Sequence, residues 1–566
     1  MKRETRLNAK PKGEFPLLIG VDVGGTFTDA VAVRGGEVVA TAKHPTQPER
    51  LEASLLAALD GVLAEVSPEE VTRVAFSTTL ITNLLALGRT PEVALLLIPG
   101  PGRDPQSYRL PGPTWVVGGA IDFRGRETAP LDDQALDDAL DEIAGEDHQR
   151  LAIVGKFSPR NPAHEETVAQ RARAMHPDWI LRTGHTVAAQ LNFPRRAVAT
   201  ALTLAVADPY QTFFDDLRAA LAQRGLTSPI VVLKADGGTL PLEAAGEAPL
   251  QSIFSGPAAS TLGALALRPS GATSVVVDVG GTTTDLALIL DGEPLLASQG
   301  ASLEGMALPT RAFAVRSMPV GGDSTVARRD GEITLLDSRA GMAACLGGPA
   351  PTLTDALRVL GWTEVGDEQK ARASLAGIGA PDEVATAVVE QALARIEAGV
   401  EAMFHAWRRE PVYRLWELRR KGKRHPDLLV GIGAAAHAVV PSLAERLGAA
   451  STIPPYAPVA NALGAAVART TFTTTLHVDT ERQLLQIVEE GRTERLPPGR
   501  YTLDGVRALA RDWMARRGRA LGIDPAPEEM VEVLAEQFNV VEGWSTVGRI
   551  FDMQLERPCG LVEGWR

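Results

Sequence analysis

The amino-acid sequence predicts an α/β fold built from two similar halves and followed by a small α+β region. The strongest observation is a repeat, since segments 19–33 (IGVDVGGTFTDAVAV) and 275–289 (VVVDVGGTTTDLALI) share one pattern. In each, an apolar run ends in Asp-Val-Gly-Gly-Thr-x-Thr-Asp and a second apolar run follows, as in a β-hairpin. Between residues 131 and 182, short apolar runs alternate with helical periodicity, which is typical of α/β layers. Beyond residue 470 the pattern changes to short alternating strands and helices.

These changes of pattern predict four parts. They are a loose N-terminal tail, a first half, a second half with an inserted subdomain, and a C-terminal α+β region, with the bounds 1–16, 17–190, 191–470 and 471–566. In the C-terminal region the spacing of apolar residues predicts helices over 503–521 and 528–536. In the long helical stretch over 195–222, we expect the pair Asp208-Pro209 to cause an interruption.

The composition excludes several classes of protein. A formal net charge of −13 argues against general binding of nucleic acid or of an anionic membrane surface. We expect neither a transmembrane helix nor a signal peptide, because no apolar run is long enough. Cys345 and Cys559 are the two cysteines, which excludes a disulfide scaffold and a multi-cysteine metal site. The sequence therefore predicts a cytoplasmic protein.

The repeated motif has the chemistry of a phosphate-binding turn. Its glycines let the backbone approach a phosphate and point N–H groups towards it, and its threonine hydroxyls add donors. An aspartate at the end of the strand can hold Mg²⁺ beside the phosphates. Two such turns across a cleft would clamp a triphosphate, which is most of what phosphoryl transfer needs. A single copy would also suit an ordinary hairpin turn, but the duplication favours phosphate binding.

Candidate residues follow from this chemistry. The candidate catalytic residues are Asp22, Asp278 and Asp323, and the first two are also the candidate metal ligands. Asp29 and Asp285 end the two motifs and are expected mainly to stabilise the hairpins. The candidate phosphate donors lie in three turns: Gly24, Gly25, Thr26, Thr28, Gly280, Gly281, Thr282, Thr283, Gly321 and Gly322. The turn 321–323 is equally well explained as a purely structural one.

In order along the chain, the motifs resemble those of the hydantoinase A/5-oxoprolinase family. The resemblance covers about 17–470 and rests on GVDVGGTFTD (20–29), STTLITNLL (77–85), FSPRNPAHE (157–165), ADGGTL (235–240), FSGPAAS (254–260), VVVDVGGTTTD (275–285), MPVGGDSTV (318–326), GGPAPTLTDA (347–356) and GIGAAAHAVVPSLAERLG (431–448). More distantly, the two hairpins resemble the phosphate loops of the ATPase superfamily that includes actin, hexokinase and the heat-shock chaperones. This implies two actin-like (ribonuclease H-like) ATPase halves around a nucleotide cleft.

The resemblance implies further site residues. Gly431 and Gly433 resemble a loop on the adenosine side of the nucleotide. The candidate substrate-binding residues are Thr78, Thr79, Asn83, Asp355 and His437. A helix N-cap is an equally good interpretation of Asp355, and a structural hydrogen bond is a common role for a single histidine such as His437. The chain departs from the family pattern at Phe76-Ser77, where His-Gly is common, and at Asp323, where a third glycine is usual.

The resemblance also implies a function. The family includes ATP-dependent N-methylhydantoinase subunits, 5-oxoprolinases and β-type subunits of acetone and acetophenone carboxylases. The implied activity is phosphorylation of a lactam, cyclic amide or ketone oxygen with ATP and Mg²⁺, followed by hydrolysis or carboxylation together with a hydantoinase B-like subunit. Two alternatives stay open: a nucleotide-dependent conformational or assembly ATPase without a small-molecule substrate, and a small-molecule kinase.

Overall fold

The structure is a computed structural model that describes residues 15–565, except 48, 49, 87, 89, 189, 269, 270, 411–421 and 423. The tail expected over 1–16 lies outside the described residues, apart from Phe15 and Pro16. Within the described ranges, none of the helices is long and apolar enough to cross a membrane.

The first half begins with a sheet whose central strand is buried along its whole length. Its opening elements are β1 (Leu17–Val23), β2 (Phe27–Arg34), β3 (Glu37–Pro45), α1 (Leu51–Leu63), β4 (Val71–Thr78) and α2 (Leu80–Ala86). Strand β1 pairs antiparallel with β2 and parallel with β4. All residues of β1 are buried, which accounts for a continuous apolar run rather than an alternating one.

A parallel α/β unit is inserted after α2. Its elements are β5 (Ala94–Ile98), β6 (Thr114–Val116), β7 (Ala120–Ile121), β8 (Glu127–Ala129), α3 (Asp133–Gly145), β9 (Arg150–Gly155), α4 (Ala163–Met175), β10 (Ile180–Thr183) and α5 (Gly184–Val187). Strands β10-β9-β5-β6, in that order, form a parallel sheet with a core of its own. The helix–strand alternation predicted over 131–182 is confirmed.

The chain then returns to the first sheet. The returning elements are α6 (Phe193–Gln223), β11 (Ile230–Leu233), β12 (Thr239–Pro241), α7 (Leu242–Glu247) and α8 (Ser255–Leu267). Strand β11 pairs with β4, so the complete sheet has the order β12-β11-β4-β1-β2-β3. The first half thus extends through α8, beyond the boundary expected at 190/191, because its last two strands follow the inserted unit.

Helix α6 runs for 31 residues through Asp208-Pro209, so the interruption expected there is wrong. A proline inside a helix removes one backbone hydrogen bond and crowds the preceding turn. Val206, Tyr210 and Phe214 of α6 are buried in the core of the first half. This packing on both sides of Pro209 keeps the helix continuous.

The second half repeats the arrangement of the first. Its elements are β13 (Ser274–Val279), β14 (Thr284–Leu290), β15 (Glu293–Pro294), β16 (Ser302–Leu303), β17 (Met306–Ala307), β18 (Val315–Met318), β19 (Ser324–Arg329), β20 (Glu332–Arg339), α9 (Leu353–Val359), α10 (Glu368–Ala376), α11 (Pro381–Arg409), β21 (Leu428–Ile432), α12 (Ala436–Leu447), β22 (Ala450–Thr452) and α13 (Ala460–Val467). The main sheet has the order β15-β14-β13-β21-β22, and β18 also pairs with β14. Like β1, strand β13 is antiparallel to the next strand and parallel to a later one.

Helices α8 and α13 cross where the two halves meet. They carry a second repeat, Ala-Ser-Thr-Leu-Gly-Ala (259–264) and Ala-Asn-Ala-Leu-Gly-Ala (460–465). A Cβ added to Gly263 would lie 2.0 Å from the carbonyl oxygen of Ala460, and one added to Gly464 would lie 2.0 Å from that of Ala259. The reciprocal contacts give the two halves a pseudo-twofold relationship, and only glycine allows this approach.

The C-terminal region is an α+β unit. It consists of β23 (Phe472–Asp479), β24 (Leu484–Ile487), β25 (Arg492–Arg495), α14 (Leu503–Ala520), β26 (Val531–Glu542) and β27 (Ser545–Arg557), with the sheet order β25-β24-β23-β27-β26. The helix predicted over 503–521 is confirmed as α14. The helix predicted over 528–536 is wrong, because pairing with β27 makes most of that segment part of strand β26. The chain as a whole has the mixed α/β fold that the sequence predicts.

Candidate active site

Four aspartates lie at the ends of two equivalent hairpins. In the hairpin β1–β2, Asp22 is the direct cross-strand neighbour of Asp29. In the hairpin β13–β14, Asp278 has the same relationship to Asp285. The duplicated motif therefore folds into duplicated geometry, with one pair of carboxyl groups from each half.

The turns of the two hairpins close in the same way. The Gly24 N–H donates to the Phe27 oxygen at 3.1 Å, and the Gly280 N–H donates to the Thr283 oxygen at 3.0 Å. Gly25 and Thr282 are exposed at the tips of the two turns. Thr28, in contrast, is fully buried, and its hydroxyl forms a hydrogen bond with the Thr46 hydroxyl at 2.9 Å. The tips are thus accessible to a ligand, and Thr28 supports the hairpin from inside.

One amide connects the two halves at the centre of the site. The side-chain amide of Asn461 on α13 donates to the Asp278 carboxylate at 3.2 Å, and it also hydrogen-bonds to Asp22. Ser260, at the equivalent place on α8, donates its hydroxyl to the same Asp278 oxygen. The pseudo-twofold crossing of α8 and α13 therefore positions the polar groups that hold both strand-end aspartates.

Ser77 is the departure from the family pattern that reaches the site. It is fully buried near the end of β4, directly opposite Asp22 of β1, and it lowers the pKa of that carboxyl group. Its hydroxyl donates to that of Ser255 at the start of α8 at 3.4 Å. The larger side chain in place of glycine thus adds a polar group beside Asp22.

Burial dominates the electrostatics of the four aspartates. It raises the pKa of Asp22 to about 7, with the charges of Asp29 and Asp278 adding to the effect, and it raises the pKa of Asp285 to about 7. It also raises the pKa values of Asp29 and Asp278 above their usual range. Lys43, which contacts Asp29 at 2.7 Å, opposes both of these shifts. A site with several carboxyl groups and few cations is suited to binding positive charge.

The turn 321–323 packs against the second hairpin. The Gly322 N–H donates to the Gly280 oxygen at 2.9 Å, and the Asp323 N–H donates to the Gly281 oxygen at 2.7 Å. A Cβ on Gly321 would lie 2.5 Å from the oxygen of Gly281. The glycines are therefore needed for close contact with the hairpin, and the amides of Gly322 and Asp323 point to it rather than to a ligand.

Arg339, at the end of β20, joins the tips of the two halves. Its guanidinium lies 3.0 Å from the Asp323 carboxylate and 3.4 Å from the Thr26 hydroxyl. The hairpin tips themselves are close together, since a Cβ on Gly281 would lie 2.9 Å from the hydroxyl of Thr26 and 2.7 Å from Asp323. The candidate site residues at these tips thus lie together, as the sequence predicts: Thr26, Gly281 and Asp323. The sequence does not predict that Arg339 joins them.

Gly433 is constrained by the site, whereas Gly431 belongs to the core. Gly433 has φ +85°, and a Cβ there would lie 2.5 Å from the Asp278 carboxylate and 2.7 Å from the Val279 carbonyl. Gly431 lies within β21, beside Val277 of β13, and is buried against Val440. Only the first of the two borders the hairpin tips.

The candidate substrate-binding threonines lie beside the end of β1. The Thr78 hydroxyl accepts from the Leu80 N–H at 3.1 Å and begins helix α2. The Thr79 hydroxyl donates to the Val23 carbonyl at 3.3 Å and accepts from the Asn83 amide at 3.2 Å. These side chains order the segment after β4, next to the first hairpin.

Asp355 and His437 have contrasting environments. Asp355 is fully buried, and its carboxylate accepts from the N–H groups of Thr352, Ala344 and Cys345 at 2.8, 3.0 and 2.7 Å. In the capping box at the start of α9 the N-cap is Thr352, and Asp355 is the third helical residue, whose carboxylate reaches back to the Thr352 N–H. Asp355 therefore has a structural capping role, but it is not itself the N-cap that the sequence suggested. His437 is exposed in the first turn of α12.

The donor set fits a hard divalent cation that completes its coordination with other oxygens. Within the described residues, no group of three or more His, Cys, Asp or Glu side chains is placed to hold a metal ion. Among those residues, the buried Asp285 oxygen Oδ1 has no hydrogen-bond partner. Mg²⁺ commonly uses one or two carboxylates together with phosphate and water oxygens. Asp22 and Asp278 suit that mode better than a cage made of protein ligands.

Four residues of the site escape the sequence analysis: Lys43, Ser260, Asn461 and Arg339. The repeat Ala-x-x-Leu-Gly-Ala in α8 and α13 is a signal for Ser260 and Asn461, because it places them at equivalent positions. Lys43 and Arg339 have no comparable signal. The pairing of β2 with β3 places Lys43 opposite Asp29, and the pairing of β19 with β20 places Arg339 beside the turn that holds Asp323.

Comparison with known proteins agrees with this arrangement. The model of the hydantoinase/oxoprolinase N-terminal region matches residues 18–176, and the hydantoinase/oxoprolinase model matches residues 196–474. The chain belongs to the hydantoinase/oxoprolinase family. The two matches include both hairpins, the turn 321–323 and the crossing helices, so the matched residues cover the whole candidate site.

Relatives of this family support the fold over nearly the whole chain. The chain is 26% identical over 467 residues to the caprolactamase subunit alpha of Pseudomonas jessenii, an alignment that covers 76% of this chain and 67% of the relative. Other curated relatives are matched over only about half of their length. A nucleotide-free structure of acetone carboxylase superposes with a TM-score of 0.69 at 17% identity, covering 97% of this chain and 88% of that one. The structure of an ATP-dependent caprolactamase from Pseudomonas jessenii superposes with a TM-score of 0.65 at 20% identity, and the superposition covers 95% of this chain and 87% of that one.

Proposed function

We propose that this protein is an ATP-dependent subunit of an enzyme that activates a carbonyl oxygen by phosphorylation. The substrate class is a lactam or cyclic amide, with a ketone as the alternative within the family. The observation that carries the proposal is the convergence of Asp22 and Asp278, from two duplicated glycine-rich hairpins, on the amide of Asn461. Similar proteins include an ATP-dependent caprolactamase and an acetone carboxylase, whose carboxylation of acetone is also ATP-dependent.

The proposed reaction transfers the terminal phosphoryl group of ATP to the carbonyl oxygen of the substrate. A new P–O bond forms at that oxygen, the bond to the β-phosphate oxygen breaks, and ADP leaves. For a lactam, the amide N–H proton passes to a base, and the carbon becomes open to attack by water because phosphate is a better leaving group than oxide. Asp323 is our candidate for the base, since burial raises the pKa of its carboxyl group above the usual range.

The chain's own residues would position the reactants. The exposed tips at Gly25 and Thr282 come one from each half and are suited to phosphate contact. Asp22 and Asp278 would hold Mg²⁺, which neutralises phosphate charge during such transfers. Ser260 and Asn461 would keep the Asp278 carboxylate oriented towards the cation.

A partner subunit is part of the proposal. The caprolactamase relative is itself named as a subunit, and phosphorylation of the oxygen is only the first step of a hydrolysis or carboxylation. We propose that a hydantoinase B-like subunit carries out the second step. Co-expression with such a subunit should give a stable complex and increase product formation by more than it increases ADP release.

The first test is a thermal-shift titration of the purified protein. Mg·ATP is compared with Mg²⁺ alone and with ATP in EDTA, because a ligand that binds the folded state raises the melting temperature in proportion to the logarithm of its concentration over Kd. A metal-dependent rise supports the nucleotide site. ADP release is then measured with hydantoin, 5-oxoproline, caprolactam and small ketones, with and without the partner subunit.

The same assays separate the alternatives. A stable phosphorylated product that accumulates would favour a small-molecule kinase. ADP release that none of the substrates accelerates, with the partner present, would favour a conformational or assembly ATPase. Absence of any shift at millimolar nucleotide, in the complex as well as in the isolated chain, would contradict the proposed function.

A further inference from the structure

Arg339 occupies the position where the two hairpin tips meet. Its guanidinium contacts Asp323 in the second half at 3.0 Å and Thr26 in the first half at 3.4 Å. The side chain is 31% exposed, whereas that of Asp323 is 10% exposed. A cation that is partly accessible therefore lies between two glycine-rich tips, and among the described residues a single carboxylate forms an ion pair with it.

The contact between the tips leaves no space for a phosphate group between them. Thr26 Oγ1 lies 2.9 Å from the position of a Cβ on Gly281, which is close to direct contact between the two halves. A triphosphate that binds both tips must separate them. Because Arg339 and Thr26 belong to different halves, that separation also removes the contact of the guanidinium with Thr26.

The charges around Arg339 favour exchange of its ion-pair partner, the Asp323 carboxylate, for a phosphate group. Asp323 forms an ion pair with it at 3.0 Å, and burial raises the pKa of that carboxyl group while Arg339 lowers it. A terminal phosphate carries more negative charge than one carboxylate, and a planar guanidinium can donate two parallel hydrogen bonds to it. Arg339 would thus gain a stronger partner than the one it has.

We propose that Arg339 binds the terminal phosphate of the nucleotide and that its ion pair with Asp323 is the resting state of this residue. Release of the pair leaves the Asp323 carboxylate available to the substrate at the moment when the nucleotide is in place. This inference rests on the proposed function, and it assigns to Arg339 a role in distinguishing a triphosphate from a diphosphate.

The test compares the affinity of variants for a non-hydrolysable ATP analogue and for ADP, both with Mg²⁺, by calorimetry. We expect Arg339→Ala to weaken binding of the analogue by about 10- to 100-fold, the size of a lost charge-assisted hydrogen bond, and to change ADP binding by less than about 3-fold. Arg339→Lys keeps the positive charge but loses the planar guanidinium that donates two parallel hydrogen bonds, so its affinity for the analogue should lie between those of the wild type and Arg339→Ala. Arg329→Ala is the matched control, because Arg329 is exposed at the far end of β19 in the same two-stranded sheet.

Asp323→Asn provides a second, opposite expectation. It removes the partner that competes for Arg339, so binding of the analogue should become tighter although turnover falls. A merely structural role would weaken both nucleotides alike in Arg339→Ala, and that result would overturn the inference, as would unchanged affinity for the analogue. Wild-type protein that binds neither nucleotide would instead contradict the proposed function, so the two failures are distinguishable.

Discussion

Asp22 and Asp278 end equivalent strands of the two halves and share the side-chain amide of Asn461. The amide donates to Asp278 at 3.2 Å and hydrogen-bonds to Asp22 as well, and the charge of Asp278 raises the pKa of Asp22. Two carboxyl groups that repel each other are thus held together by one neutral donor. Two neighbouring carboxyl groups of this kind are suited to binding a divalent cation together with phosphate oxygens.

Replacement of Asp22 or Asp278 should abolish turnover without unfolding the protein. We expect Asp22→Asn and Asp278→Asn each to lower ATPase activity by at least about 100-fold, because each removes a charge that the reacting groups need. The melting temperature without nucleotide should not fall. Asp141→Asn on the exposed face of α3 is the control and should keep full activity. Wild-type ATPase activity in both site variants would rule out this assignment.

The stability of the nucleotide-free protein should decrease as the pH rises from about 4 to about 7. The pKa values of Asp22 and Asp285 rise from an ordinary 3.8 to about 7 on folding. In that window the folded state binds more protons than the unfolded state, so each group lowers the free energy of unfolding by up to about 1.4 kcal/mol per pH unit.

Urea denaturation at pH 5.5 and pH 7.5 measures this effect. Asp285→Asn cannot ionise, so the variant should lose less stability between the two pH values than the wild type does. The control is Asp141→Asn, whose exposed carboxyl group should leave the slope unchanged. Equal slopes for the wild type and Asp285→Asn would show that Asp285 is not protonated at neutral pH.

Alanine at position 433 should damage both the fold and the site. Gly433 has φ +85°, and a Cβ would lie 2.5 Å from the Asp278 carboxylate. We expect Gly433→Ala to lower the free energy of unfolding by about 1–3 kcal/mol and to abolish the thermal shift with Mg·ATP. Gly145→Ala at the end of α3, where a Cβ meets nothing within 4 Å, should be neutral or slightly stabilising. An unchanged Mg·ATP shift in Gly433→Ala would mean that this loop lies away from the nucleotide.

Loss of the Ser260 hydroxyl should move the pH dependence of activity. That hydroxyl donates to Asp278 and lowers its pKa, so Ser260→Ala should raise the pKa of Asp278 further. The acidic limb of the pH–activity profile should then shift to higher pH. Thr261→Val is the control, because the Thr261 hydroxyl bonds to the Pro257 carbonyl within the same helix at 2.8 Å. Identical pH–activity profiles for Ser260→Ala and the wild type would show that Ser260 does not affect the ionisation on which activity depends.

Local patterns predicted local structure well wherever the period was unambiguous. The apolar run before Asp22 is strand β1, and the run before Asp278 is strand β13. Most of the segment 528–536 is a strand and not the predicted helix, because its short run of mixed apolar and charged residues fits either period and pairing with β27 decides between them. Helix α6 continues through Pro209 because its packing on the core of the first half outweighs the loss of one hydrogen bond.

The sequence by itself determined the duplicated hairpins, the family and the place of Asp22 and Asp278 at equivalent strand ends, because these depend on residues that are neighbours along the chain. Only the tertiary structure decided that Asn461 joins the two aspartates and that Arg339 lies between Asp323 and Thr26. Those contacts join residues far apart in sequence. They depend on how α8 crosses α13 and on how strands pair, which no local pattern encodes.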